Sequence, residues 1–146
     1  MIGELLLRVA YGANVVILAP VLAGLLLARN GPGVPALGGE IAESRGLRLL
    51  LVSLWSAILA LSLAGLVAPR LFWSILLLQI IYKSLWLALY VAPLWRAKGP
   101  RAAPWGPAIV FAAIVVLWPV ALAIAARDGA LSLLIRVSAN DIYPVY

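Results

Sequence analysis

Four long, uninterrupted apolar runs dominate this sequence and leave few folds open to it. They extend approximately over residues 5–28, 47–67, 71–94 and 105–126. An α-helix needs roughly 20 residues to cross a hydrocarbon core about 30 Å thick, and each run reaches that length. A transmembrane β-strand would instead alternate apolar and polar side chains over about ten residues. The runs therefore predict an all-α integral membrane protein with four transmembrane helices.

The composition supports a membrane domain and narrows the chemistry. Apolar residues make up 66% of the chain and charged residues 11%, whereas soluble domains are about half apolar and a quarter charged. We expect a single membrane domain over residues 1–146. Because the sequence has no His and no Cys, it lacks the usual imidazole and thiol nucleophiles, bases and metal ligands. We expect no cofactor, metal, nucleic acid or catalytic residue, and an enzyme is the least favoured class.

The connections and their charges predict an up-down bundle. Only residues 68–70 separate the second run from the third, so we expect those two helices to be antiparallel neighbours. By the positive-inside rule, the first and third connections face the cytoplasm, which places both termini on the non-cytoplasmic side. The basic residues behind this prediction are Arg29, Arg45, Arg48, Arg96, Lys98 and Arg101.

Other signals lie near the predicted helix ends. Glu4 and Arg8 are four residues apart at the start of the first helix and are expected to form an ion pair. The tail, residues 127–146, favours a short helix lying in the membrane interface, although its apolar pattern also fits a strand. Three tryptophans are placed where an indole prefers the headgroup boundary: Trp73, Trp95 and Trp105.

Lys83 is the most informative position. It lies thirteen residues from both Arg70 and Arg96, which is about 20 Å along a helix in each direction. An ammonium group at that depth costs about 2.5 to 3.5 kcal/mol, so it should face protein or water rather than lipid. No acid lies within the four runs, and Glu4, just before the first run, is far from this depth. A neutral group, a ligand or another chain must therefore compensate the charge.

Polar and aromatic residues accompany Lys83. Counted from the predicted helix ends, Asn14 and Gln79 lie at nearly the same level. Gln79 is also one helical turn from Lys83, with Tyr82 adjacent, so we expect a small polar layer here. Two deeper tryptophans at matched depth either form the wall of a pocket or stack in the core: Trp55 and Trp86.

Three roles for Lys83 stay open. It is a structural amine bonded to Gln79, a contact to a carboxylate on another subunit, or the anchor for an anion or polar headgroup. Ser56, Ala60 and Ala64 recur at every fourth position of the second helix, a spacing that lets helices approach closely. The leading hypothesis is an accessory or assembly subunit of a membrane complex or homo-oligomer. The alternative is a small transporter or binding protein for an anionic or amphipathic solute.

Two segments, SLWSAILALS and LLLQIIYKSLWLALYVAP, resemble small bacterial membrane proteins in general character. The resemblance implies a multi-pass protein of a bacterial plasma membrane. The four-span size is also similar to the small multidrug resistance transporters, which depend on a membrane-embedded Glu in the first helix. Asn14 stands at that level here, so no functional residue is carried over from that family.

Overall fold

Four long helices and a short 3-10 helix, Pro100–Ala102, make up the regular structure of the residues that the structure describes. The computed structural model describes residues 2–27 and 45–142, with side chains described over 2–27 and 45–129. The helices are α1 (Ile2–Leu27), α2 (Arg45–Val67), α3 (Ser74–Lys98) and α4 (Trp105–Ile142). Each is long and apolar enough to cross a membrane, and the described residues contain no strand. The predicted all-α class with four candidate membrane spans is thus confirmed, as expected for a multi-pass membrane protein.

Most helix ends fall within a few residues of the predicted positions. α3 begins at Ser74 rather than at residue 71, because residues 68–73 form turns with a hydrogen bond of 3.1 Å from the Leu71 N–H to the Ala68 carbonyl. At its other end, α3 continues to Lys98, so Arg96 and Lys98 lie on its last turn and not in a loop. Arg29 lies outside the described residues.

The tail continues α4 without a break as far as Ile142. The helix is therefore about 57 Å long at 1.5 Å per residue, well beyond the hydrocarbon thickness of a bilayer. The separate short helix expected at residues 127–146 is not formed up to Ile142, and residues 143–146 lie outside the described part. Contact of the tail with a membrane interface stays a prediction.

One π-helical turn, Leu87–Val91, interrupts the regular winding of α3. The N–H of Ala92 donates to the carbonyl of Leu87, five residues earlier rather than four. Pro93 follows directly and has no N–H to give to the Leu89 carbonyl, so the wider turn is a local adjustment to the proline. The turn lies between Lys83 and the last turn of α3.

α1 is the central helix of the bundle. It packs antiparallel against both α2 and α4, and α3 packs against α4. α2 and α3 contact each other little, so the expectation that the short link would make them packed neighbours is wrong. The reason is the fully buried Tyr11 of α1, which occupies the space beneath the link. Its hydroxyl donates to the Pro69 carbonyl at 2.9 Å, and its ring lies over Gly65 of α2.

Charged side chains connect the helices where α1 begins. Glu4 pairs with Arg70 of the link, with 2.9 Å between Oε1 and Nε. Arg8 donates from Nε to the Leu66 carbonyl at 3.2 Å. The predicted Glu4–Arg8 pair is therefore wrong, because each side chain reaches a partner beyond its own helix instead of its neighbour one turn away.

α1 and α4 approach each other most closely at the same end. The backbone N–H of Gly3 donates to Asp128 Oδ2 at 2.8 Å, and a Cβ on Gly3 would overlap the backbone of Ala125. We call this end, formed by the start of α1, the link 68–73 and Asp128, the closed end. The opposite end, formed by the end of α1, the start of α2 and residues 92–107, is called the open end.

α2 buries one face and leaves another outside the bundle. Ile58, Ser62 and Gly65 are buried against α1, whereas Ser56 and Ala60 are exposed. The small-residue pattern of the sequence is thus divided, because Ser56 and Ala60 lie on the outer surface of the bundle whereas Ala64 is half-buried.

Candidate functional site

A cavity of about 260 Å³ lies inside the bundle and receives side chains from all four helices. Along α4 it extends from Ile114 to Gly106, which is about 12 Å at 1.5 Å per residue. Along α1 it extends from Asn14 to Val21. Because α1 and α4 are antiparallel, both directions lead from the middle of the bundle towards the open end.

Lys83 provides the cationic group of this cavity. Its side chain is only 3% exposed, and it donates from Nζ to Gln79 Oε1 at 3.0 Å and to the Tyr82 hydroxyl oxygen at 2.6 Å. Nζ also lies 4.4 Å from the centre of the Tyr82 ring and 5.0 Å from that of Phe111. The prediction that Lys83 faces the protein interior is confirmed. All of these partners are electrically neutral.

The described acidic side chains do not offer Lys83 a counter-charge. They are Glu4, which pairs with Arg70, and Asp128, which accepts from Gly3. Both lie at the closed end, away from the cavity. Within the described part of the chain, the charge of Lys83 is therefore compensated only by hydrogen bonds and ring faces.

Gln79 is oriented by its bond to Lys83. Because Oε1 accepts from the lysine, the amide nitrogen Nε2 points elsewhere, and it has no hydrogen-bond partner among the described residues. The buried indole nitrogen of Trp118 is likewise without a partner there. Both atoms are donors. The interior thus holds more hydrogen-bond donors than acceptors.

The predicted polar layer separates into two hydrogen-bonded groups. Asn14 donates from Nδ2 to Ser62 Oγ at 3.2 Å and so joins α1 to α2. Gln79, Tyr82 and Lys83 form the second group on α3, and Asn14 shares only the cavity with it. Ser62 was missed by the sequence reasoning, because its pairing depends on how far α1 is shifted along α2.

The two deep tryptophans have different roles in the packing. Trp55 is buried and lines the cavity. Trp86 packs on Phe111 and Tyr90, with ring centres 5.0 Å and 5.4 Å away. The pocket-wall interpretation therefore describes Trp55, and the core-stacking interpretation describes Trp86.

Basic residues surround the open end. Trp105 shapes this region by donating from Nε1 to the Pro100 carbonyl at 2.7 Å and by packing on Trp95, 6.0 Å between ring centres. The described acids lie at the other end of the bundle, so the open end is positively charged within the described part of the chain. Its described basic residues are Arg45, Arg48, Arg96, Lys98 and Arg101.

A second hollow of about 280 Å³ lies at the closed end. It is bordered by Leu7, Arg70, Trp73 and the last turns of the apolar part of α4. Its cation, Arg70, already pairs with Glu4. The lining of this hollow includes neither Lys83 nor any other residue of the first cavity.

No family model, curated protein or solved structure matches this chain. The function must then be inferred from the chemistry of the cavity. A buried ammonium group whose partners among the described residues are all neutral is suited to binding a negative charge.

Proposed function

We propose that this chain is a small intramembrane binding protein or transporter for an amphipathic anion, with Lys83 as the anchor of the anionic group. The observation that carries the proposal is the position of Lys83. Its ammonium group is buried in the wall of the cavity, and its partners among the described residues are all neutral.

Electrostatics favour an anion over a neutral solute. A buried charge without an opposite charge loses its hydration, at a cost of several kcal/mol per ion. Gln79 and Tyr82 return part of that energy through hydrogen bonds, but they carry no charge. A ligand with a negative charge compensates the charge of Lys83. Part of the desolvation cost of Lys83 is therefore recovered when such a ligand binds.

The walls of the cavity favour a ligand that is also apolar. Between Lys83 and the open end the cavity is lined mainly by aliphatic and aromatic side chains, among them Ile17, Val110 and Phe111. Its volume of about 260 Å³ is close to the lower limit of small-molecule sites, roughly 300 Å³. A small solute with one charged end and one apolar end matches this shape.

We also propose the plasma membrane of a bacterium as the location, with the open end on the cytoplasmic side. The support is the concentration of Lys and Arg residues at that end, which the positive-inside rule places in the cytoplasm. Four apolar helices of membrane-spanning length support a location in a membrane.

Assembly with another subunit, or with a second copy of the chain, is a second candidate function. The exposed Ser56 and Ala60 on α2 favour it, since small residues let a neighbouring helix approach. Lys83 does not support it, because a carboxylate on an outside helix would not reach a side chain that is 3% exposed.

Binding of radiolabelled octanoate to the protein in lipid nanodiscs tests the main proposal, with empty nanodiscs correcting for partition into lipid. We expect saturable binding that is lost in Lys83→Met. The matched control is Lys98→Met, which removes the same charge from the exposed last turn of α3 and should retain binding. Equal binding by both variants, or no saturable binding by the wild-type protein, would rule out Lys83 as the anchor.

A further inference from the structure

We infer that the cavity takes a carboxylate with a narrow apolar tail, which enters from the open end and binds with its carboxylate first. This inference rests on the proposed function and specifies the chemical class, the route and the orientation of the ligand. Three features carry it: the donors that Lys83 and Tyr82 keep, the packing of the closed end and the direction of the cavity.

Lys83 and Tyr82 each keep one hydrogen-bond donor for which the described residues offer no acceptor. An ammonium group has three N–H donors, and Lys83 uses two of them on Gln79 and Tyr82. The Tyr82 oxygen accepts from Lys83, so its own O–H is left to donate. A carboxylate presents two acceptor oxygens with a single negative charge and therefore satisfies both donors at once.

Other head groups fit this arrangement less well. A hydroxyl or an amide brings no charge to compensate Lys83. A phosphate monoester brings about two negative charges at neutral pH, whereas the described lining of the cavity contains one cation. A monoanion thus gives the best charge balance within the site.

The closed end offers no route to Lys83. Leu7, Tyr11 and Leu76 are 1%, 0% and 0% exposed, and they fill the bundle between Lys83 and that end. Nearer to the closed end than these three side chains, Gly3 lets the backbones of α1 and α4 come into contact. At the other end the cavity reaches the exposed Gly106.

The direction of the cavity then fixes the orientation of the ligand. Lys83 Nζ bonds Gln79 and lies 5.0 Å from the centre of the Phe111 ring, one turn of α4 from Ile114. A carboxylate bound to it therefore lies in the inner half of the cavity, and the tail extends past Val110 towards Val21. Each methylene buried against these walls should raise the affinity about fourfold. The gain should stop once the tail reaches the mouth of the cavity, about 12 Å from the inner end.

Single cysteines test the route and the orientation, because the natural sequence has none. Ile114→Cys marks the inner end of the cavity, Val21→Cys its mouth and Leu76→Cys the packed region towards the closed end. Each variant is reconstituted in liposomes and exposed on either side to a charged, membrane-impermeant methanethiosulfonate reagent. Arg101→Cys reports which side of the vesicle the open end faces.

We expect Ile114→Cys and Val21→Cys to react from the open-end side only and Leu76→Cys to react from neither side. Propionate should slow the labelling of Ile114→Cys but not of Val21→Cys, whereas octanoate should slow both at least tenfold. Octanol should leave the labelling rates of both cysteines unchanged. In double variants that also carry Lys83→Met, octanoate should no longer slow the labelling, whereas in double variants with Lys98→Met it should still do so.

The outcomes separate this inference from the proposed function. If octanoate binds in nanodiscs but protects neither cysteine, or if octanol protects equally, the carboxylate-first orientation is wrong although an anion still binds. Labelling of Leu76→Cys from the closed-end side would overturn the route. Absence of octanoate binding in nanodiscs would overturn both proposals.

Discussion

The two ends of the bundle are built from the same four helices but differ in packing and charge. At the closed end, Gly3 and Gly65 let helices approach until backbone and ring atoms touch, and Glu4 neutralises Arg70. At the open end, α3 widens into a π-helical turn and the described charges are all basic. Between them, Lys83 stands where tight packing gives way to a cavity.

The difference indicates how a chain of this size accommodates a buried charge. Glycines and a buried tyrosine hold the helices together at one end. At the other end the helices can therefore lie further apart and leave a cavity without unfolding of the bundle. A small bundle that was tightly packed along its whole length would leave no space for a ligand. We therefore expect stability to depend on the closed end and binding to depend on the inner end of the cavity.

The largest stability change is expected from Gly3→Ala. The added Cβ would overlap the Ala125 backbone, so α1 and α4 must separate, at a cost of about 1 to 3 kcal/mol as in other overpacked interiors. Gly24→Ala is the matched control on the same helix, because nothing lies within 4 Å of its Cβ position. Thermal unfolding in detergent should show a lower midpoint for the first variant only; equal midpoints would mean that the closed end is not tightly packed.

A smaller loss is expected from Tyr11→Phe. The change keeps the ring over Gly65 but removes the 2.9 Å hydrogen bond to the Pro69 carbonyl, which should cost about 1 kcal/mol. Tyr90→Phe at the opposite end is the control and should leave the unfolding midpoint nearly unchanged. If the two variants lose equal stability, Tyr11 does not hold the link in place.

A still smaller effect is expected from Glu4→Gln. The Glu4 and Arg70 side chains are 37% and 51% exposed, and ion pairs this accessible contribute less than about 1 kcal/mol. The unfolding midpoint should therefore fall slightly, and the fall should shrink further at high salt. A loss as large as that of Gly3→Ala would show that charge pairing, not close packing, distinguishes the closed end.

Lys83→Met should cause no loss of stability at all. It removes a buried charge that has only neutral partners and replaces it with an apolar side chain of similar length, so stability should stay equal or rise. The measurement is the unfolding midpoint without added ligand, compared with that of Lys98→Met. A clear drop for Lys83→Met alone would assign the lysine a structural role in the bundle.

Hydropathy and depth could be predicted from the sequence, whereas helix neighbours could not. The burial of Lys83 follows from its distance to both helix ends, since an exposed ammonium group at that depth is costly wherever the neighbours lie. The pairing of Asn14 with Ser62, and of Glu4 with Arg70, depends on which helices touch and how far one is shifted along the other. That shift is set by Tyr11 and Gly65, whose contact leaves no periodic signal in the sequence.

The cavity itself was predicted only in part. Lys83, Tyr82 and Asn14 line it as the polar layer suggested, and Trp55 forms part of its wall. Gln79 supports Lys83 through a hydrogen bond, and Trp86 packs outside with Phe111. The side chains that reach a cavity are determined by the gaps between helices. These gaps depend on how the helices pack together, and the sequence of one helix does not reveal that packing.

The most direct test is a distance measured between Lys83 and a bound carboxylate. The chain contains only two lysines, Lys83 and Lys98, so in Lys98→Arg a ¹⁵N-lysine label reports on Lys83 alone. Solid-state NMR with octanoate labelled with ¹³C at the carboxyl carbon should then show a dipolar coupling for two groups within about 4 Å, the separation of an ion pair. Saturable binding of octanoate without that coupling would place the anion elsewhere and contradict the role given to Lys83.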